Sequence, residues 1–522
     1  MLSKVCSAAT LGIDAVRITI EVDTHGSGQP KFSLVGLGDL AVREAYARVK
    51  SALANSGFFF PCRSITVNLS PADVRKEGSA FDLPIALGIL EAEEFLRKEH
   101  VAGRVFVGEL SLDGTINPIR GTLSIAAAVG RDSSVRELIV PAANANEAAA
   151  VEGVTVVGAT TLPRLLSHLR GDYPLPRAES TIVTAPVRDF ADFSDVRGQA
   201  LARRALEVAA AGGHNVMMIG PPGSGKTMLA KRLPSVLPRL TVPEAIMTTK
   251  IHSVAGILPP SSGLLARRPF RAPHHTTSMA GLVGGGSFPR PGEVSLAHHG
   301  VLFLDELTEF RRDTLEVLRQ PIEDGYVTIS RAQRTLTFPA SFTLAVALNP
   351  CPCGFLNHPR RECICTPTQV SRYLSKISGP LLDRIDLQVE VAALTADEVS
   401  SLEPGEPSSA IRDRVEGARA IQRERFRTSR VTCNGEMTTR HLRKHCELSG
   451  PSRQLLTQAI DRLGLSARAH DRILKVSRTV ADLAGTETIE SAHVAEAVQY
   501  RALDRAYFSS PSPKDNFIRT AC

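Results

Sequence analysis

The sequence predicts an α/β protein in three parts: a mixed α/β domain, a central domain on a parallel sheet, and a helical C-terminal region. Three observations predict it. A Gly-rich loop at 220–227 has the pattern G-x-x-x-x-G-K-[ST] and lies between an apolar run and a helical run. From 191 to 395 strand-like and helix-like runs alternate, as βαβ units do. Beyond about residue 395 strand signals fade and helical spacing takes over.

Taken in order, residues 16–22 alternate with period two, as a half-buried strand does, and 41–55 carry apolar residues at helical spacing. Residues 64–69 alternate again, 81–95 read as a helix and 105–110 as a strand. These make a domain of 1–170. Residues 171–190 hold three prolines among polar residues and read as a linker. In the central domain, 191–395, the apolar runs 216–219, 301–304 and 343–348 are the expected buried strands. Residues 396–508 form a helical lid, with helices expected over 410–426, 455–463 and 469–483. Residues 509–522 read as a frayed tail.

Composition narrows the function classes. With 522 residues, 43% of them hydrophobic and 22% charged, the chain is an ordinary folded protein and not a disordered, collagenous or coiled-coil one. No run approaches about 18 apolar residues, so no membrane partner is expected, and the first residues lack a secretory pattern, which points to the cytoplasm. The net charge of +7 suits a polyanionic partner and equally an ordinary solvated surface. Aromatics are only 5% and Trp is absent, so base stacking is not the expected route to nucleic acid.

The loop consists of Gly220, Pro221, Pro222, Gly223, Ser224, Gly225, Lys226 and Thr227. Its glycines let backbone N–H groups turn toward phosphates, and the following helix adds its positive end. Lys226 is expected on the β- and γ-phosphates of ATP, and Thr227 on Mg²⁺. The apolar run 301–304 delivers Asp305 and Glu306 at the C-terminal end of a strand, where ligands sit in parallel sheets. Asp305 is expected to hold Mg²⁺ and Glu306 to polarise the attacking water; alone, the pair also fits a solvated strand end. Asn349 ends the third strand, where its amide either orients that water or forms a turn before Pro350.

With these residues in view the chain resembles the AAA+ ATPases, and within them the magnesium-chelatase-like group and its ComM/YifB family. The resemblance runs from about residue 4 to 505. It is carried by 220–227, Arg271-Ala-Pro-His-His-Thr-Thr-Ser278, 301–306, Asn349-Pro-Cys-Pro-Cys-Gly354, 378–387 and Gly464-Leu-Ser-Ala-Arg-Ala-His470. It implies that Asn349 is sensor 1, that Arg384 is an arginine finger reaching a neighbouring subunit, and that Arg468 is the sensor-2 arginine of the lid. A guanidinium fork suits the charge spread over a phosphoryl transition state. Arg384 also fits a surface ion pair with Asp383 or Asp386. A finger acting between subunits requires a ring, expected to be a hexamer. Residues 195–199 resemble the segment that lines the adenine pocket.

Two elements are candidates for sequence-independent DNA contact. A long insertion, about 251–293, holds Arg267, Arg268 and Arg271, and 326–338 reads as a β-hairpin presenting Arg331 and Arg334. The resemblance implies a helix-2 insert and a pre-sensor-1 hairpin that face a ring pore, where arginines grip phosphates; a solvated hairpin is the plain alternative. His274 and His275 are adjacent, and on an extended chain adjacent side chains face opposite ways, which disfavours a shared metal. Cys351, Cys353, Cys363 and Cys365 form C-x-C-x9-C-x-C. Four thiolates suit a closed Zn²⁺ site beside the ATP site, and the tight spacing also suits reduced structural thiols or a redox pair.

Residues 66–128 resemble the proteolytic domain of Lon, which uses a Ser–Lys dyad. Ala80 stands at the nucleophile position and Leu123 at the lysine position, so a retained Lon-like fold without proteolysis is expected. The functional expectation is an ATP-driven ring motor on DNA, a branch-migration helicase in natural transformation. The alternative is a chelatase-type ATPase that remodels a protein client.

Overall fold

A computed structural model describes residues 1–26, 31–36, 38–74, 76, 78–179, 191–259, 261–286, 289–331, 334–358, 360–393 and 404–508. Most of the expected linker (180–190), the start of the lid and the tail at 509–522 lie outside the described residues.

The N-terminal part is a seven-stranded sheet. Its order is Phe32–Val35, Ser64–Ser70, Asp14–His25, Leu2–Leu11, Arg104–Phe106, Glu137–Pro141, Thr155–Ala159. Period-two patterning sets its buried face: Ile18, Ile20 and Val22 from one strand, and Ile65, Val67 and Leu69 from its antiparallel neighbour. Helix Asp82–Ala92 is buried on nearly every side, which explains its continuous apolar composition. Strand Leu2–Leu11 was not anticipated. It pairs along its whole length with Asp14–His25, from Leu2 opposite Asp23 to Leu11 opposite Asp14. Its small residues Ser3, Ser7, Ala8 and Ala9 carry little strand propensity, and the hairpin partner imposes the conformation.

The central sheet is parallel throughout: Phe270–Arg271, Val301–Leu304, Thr343–Leu348, Val216–Ile219, Leu387–Glu390. Every residue of the three expected strands is buried, as covered parallel sheets require. The insertion is more structured than expected. It begins inside helix Val242–Ala255, passes through the edge strand Phe270–Arg271 and helix Met279–Val283, and closes with Gly284–Gly285 paired to Arg290–Pro291. Tyr326–Arg331 and Arg334–Pro339 form the expected antiparallel hairpin.

The C-terminal region is helical among the described residues, with helices Ser408–Arg425, Thr439–His445, Gly450–Leu463, Ala467–Leu483 and Ser491–Gln499. Buried Asp482 binds it together, accepting from Arg425, Arg478 and Asn434. Removing one partner of such a buried charge costs about 3–5 kcal/mol. No helix among the described residues is long and apolar enough to cross a membrane.

The N-terminal part docks on the central domain through helix Thr122–Val129, the residue before it and Asp14. Leu123 is fully buried with Ala245 and Leu264 of the central domain, the Gly121 N–H donates to the Ser253 carbonyl (3.2 Å), and Lys250 pairs with Asp14 at 3.3 Å. Ser79 hydrogen-bonds Glu109 and Ser124 donates to the Ile13 carbonyl.

Candidate nucleotide site

Strand Val216–Ile219 enters the loop and helix Lys226–Val236 leaves it. Gly223 and Gly225 have φ of 78° and 90°, a region open to glycine and costly for other residues. At Gly220 a Cβ would stand 2.2 Å from the Val391 carbonyl oxygen, so the loop can pass there only as glycine. The buried Ser224 hydroxyl has no hydrogen-bond partner. Such a turned-in, part-unsatisfied cradle fits a phosphate chain.

The Lys226 ammonium donates to the carbonyls of Gly220 (2.7 Å) and Pro221 (2.9 Å) and to Asn349 Oδ1 (3.1 Å). Burial pulls its pKa below the ordinary lysine value, and Asp305 and Glu306 act in the opposite sense. The Thr227 hydroxyl donates to Asp305 Oδ2 at 2.6 Å. A hydroxyl and a carboxylate converging in this way are the donor set expected for Mg²⁺. Thus Lys226, Thr227, Asp305, Glu306 and Asn349 line one cavity of about 410 Å³. Gln199 ties the loop to the chain after strand Leu387–Glu390 by donating to the Ala392 carbonyl (2.6 Å) and the Ser224 carbonyl (3.4 Å).

Glu306 adopts φ 50°, a left-handed conformation uncommon for a residue with a side chain. Its N–H donates to Asp305 Oδ1 (3.0 Å) and its carbonyl accepts from Glu309 N (2.8 Å). His275, which the sequence reading did not place in the site, lies with Nδ1 3.7 Å from Glu306 Oε2. The rings of His274 and His275 are 4.0 Å apart, so they do not face opposite ways. The reason is local: the strand ends at Arg271, and period-two alternation ends with it.

Arg384 and Arg468 are not in this cavity. Both line a second cleft, of about 1220 Å³. Arg384 pairs with Glu323, rather than with Asp383 or Asp386, and also donates to the Pro380 carbonyl, while its Nε has no partner. Arg468 is exposed and pairs with Asp383 at 3.2 Å.

The arginines of the insertion fare differently from one another. Arg268 is nearly buried and donates to the carbonyls of Pro238 and His299 and to Glu244. Arg271 makes a two-pronged pair with Glu293 at 2.6 and 2.8 Å. Arg268 is thus turned inward, which removes it from the surface contacts expected of it, while Arg271 stays 32% exposed beside Glu293. Arg267 is exposed. The side chains of Arg331 and Arg334 lie outside the described residues.

The four cysteines come together. Cys351 Sγ is 3.4 Å from Cys353 Sγ and 3.7 Å from Cys363 Sγ, and Cys353 and Cys363 are 3.6 Å apart. Cys365 completes a group whose sulfurs all lie within 4.8 Å of one another.

The family model described as "Magnesium chelatase, subunit ChlI" matches residues 192–399, "Subunit ChlI of Mg-chelatase" matches 20–144, and "Magnesium chelatase, subunit ChlI C-terminal" matches 405–501. The chain is 44% identical over 513 residues to Competence protein ComM of Haemophilus influenzae, covering 97% of this chain and 98% of that protein. It is 42% identical over 507 residues to the protein YifB of Escherichia coli K12, covering 97% and 98%. An uncharacterized protein of Mycobacterium tuberculosis H37Rv is 44% identical over 501 residues, covering 96% and 98%.

Proposed function

Because this chain belongs to the ComM/YifB family of magnesium-chelatase-like AAA+ ATPases, we propose that it is an ATP-hydrolysing ring motor that moves along DNA and drives branch migration during natural transformation. The observation that carries the hydrolysis is the meeting of Lys226, Thr227, Asp305, Glu306 and Asn349 at the C-terminal edge of one parallel sheet. Thr227 and Asp305 would hold Mg²⁺, which supplies charge neutralisation to the phosphates. Lys226 holds the β- and γ-phosphates, Asn349 orients the attacking water, and Glu306 takes its proton. The reaction belongs inside the cell, in the cytoplasm, where ATP is supplied.

A ring is supported by where Arg384 lies. It precedes strand Leu387–Glu390, whose first residue pairs with Val216 at the start of the P-loop strand. The phosphate loop follows the other end of that strand. Four residues at about 3.3 Å each put about 13 Å of sheet between the two edges. Arg384 and Arg468 then serve the site of an adjoining subunit, most simply in a hexamer.

The DNA half of the reading is supported by the hairpin Tyr326–Arg331 and Arg334–Pro339 and by the name of the competence relative. Arg331, Arg334 and Arg267 are its contact residues. ATP turnover measured with branched, single-stranded and no DNA is expected to rise with DNA and to lose that rise as salt increases, because phosphate contacts release counterions. Turnover indifferent to every DNA at low salt would refute it. The second reading, ATP-driven remodelling of a protein client, is favoured by the chelatase family models, and that result would promote it.

A further inference from the structure

Between Leu348 and Pro367 the described chain has no helix or strand, and it approaches the phosphate loop where Gly354 lies against Pro222. The four cysteines of this segment converge. Sulfurs 3.4–3.7 Å apart are too far for a disulfide of about 2.05 Å. Four sulfurs at about 2.3 Å from a zinc ion stand about 3.8 Å from one another. The three separations among Cys351, Cys353 and Cys363 fit that tetrahedron, and the Cys365 sulfur lies within 4.8 Å of the other three. The Cys353 N–H also donates to Cys365 Sγ at 3.4 Å, a contact that stabilises a thiolate ligand. Among the described residues the converging group of ligand atoms is made of these four sulfurs, without a histidine.

We propose that Cys351, Cys353, Cys363 and Cys365 bind one Zn²⁺ in a closed tetrahedral site, and that this ion braces the ATP site. The bracing runs through two contacts. At one end of the loop, two residues before Cys351, stands Asn349, whose Oδ1 accepts from Lys226 at 3.1 Å. On the other side of Cys353 stands Gly354, with φ 85°, where an added Cβ would lie 2.5 Å from Pro222 Cδ. The cluster thus grips the sensor asparagine and the wall of the phosphate loop together. Four thiolates leave no open coordination position, so the ion is structural. The metal site stands on its own geometry; its effect on turnover rests on the ATPase reading.

The test measures zinc and ATP turnover on the full chain. Metal analysis of protein from zinc-supplemented cells is expected to give about one zinc per chain. Cobalt-substituted protein should show the absorption bands of tetrathiolate Co²⁺. The double variant Cys363→Ser, Cys365→Ser should lose the metal and about 10–100-fold in turnover, the usual scale for loosening a supporting shell. Lys226→Ala should lose turnover and keep its zinc. Zinc below about a tenth per chain, without the cobalt bands, would overturn the site. Loss of zinc with unchanged turnover would overturn the bracing. Wild-type protein that holds one zinc and hydrolyses no ATP would uphold the site and sink the ATPase reading instead. The first two measurements use the wild-type chain, so a variant that fails to fold does not shield the proposal.

Discussion

Replacing Glu306 by Gln is expected to lower ATP turnover by about 10²–10⁴-fold, the range for removing a positioned general base, while ATP still binds. The substitution keeps the size of the side chain and removes only its capacity to take a proton. The binding groups are elsewhere: Lys226 is held by Gly220, Pro221 and Asn349, and Thr227 by Asp305. The backbone of Glu306 supports the assignment. A residue with a side chain at φ 50° occupies a sparsely populated region, and such outliers gather where function holds them. Here the Asp305 carboxylate and the turn to Glu309 hold it. In free energy the expected loss is about 3–5 kcal/mol of transition-state stabilisation. Phosphate release and equilibrium binding of a fluorescent ATP analogue, measured on the same preparation, separate the two effects. Turnover above about a tenth of wild type would remove Glu306 from the base role.

Lys226→Ala should instead weaken binding itself, because the lysine is the buried cation of the loop. The contrast between the two variants is the informative result: one binds ATP without turning it over, the other does not hold it.

Much of this site was legible because its signals are local. The strand, loop and helix around 216–236 and the acidic pair after 301–304 are each fixed by neighbours a few residues away, and parallel-sheet geometry carries them to one edge. What stayed hidden depends on long-range partners. Arg268 read as surface charge, yet Glu244, 24 residues distant, turns it inward, and Arg271 is paired by Glu293, 22 residues distant. His275 reaches Glu306 only because the chain leaves strand geometry after Arg271. Strand Leu2–Leu11 exists through its pairing with Asp14–His25 and has no strong pattern of its own. The contact between Gly354 and Pro222 joins two loops more than a hundred residues apart, which no local rule can foresee. Leu123 shows the reverse case: an apolar residue was readable there, and the structure buries it against Ala245 and Leu264 of the central domain.

Replacing Arg384 by Ala is expected to lower turnover by about 10³–10⁵-fold, the range for an arginine finger, and to do so in a way that mixing can rescue. Arg384 lines the 1220 Å³ cleft and not the nucleotide cavity, and the sheet stands between them. Its partner Glu323 is exposed while the Arg384 side chain is itself buried, 9% exposed, so an arriving subunit must open this pair for a phosphate to take the place of the carboxylate. Arg384 Nε has no partner inside the chain, and a buried donor left so costs about 1–3 kcal/mol, which a transition-state phosphate would recover. Each of Arg384→Ala and Lys226→Ala alone then leaves every site of a ring dead. In a one-to-one mixture, about a quarter of head-to-tail interfaces pair an intact loop with a neighbour's intact arginine, and activity returns toward that fraction. A chain that used its own Arg384 would regain nothing on mixing, because no single subunit in the mixture carries both groups. Recovery therefore reads the ring directly, and a mixture that stays inactive while its subunits exchange would refute action between subunits.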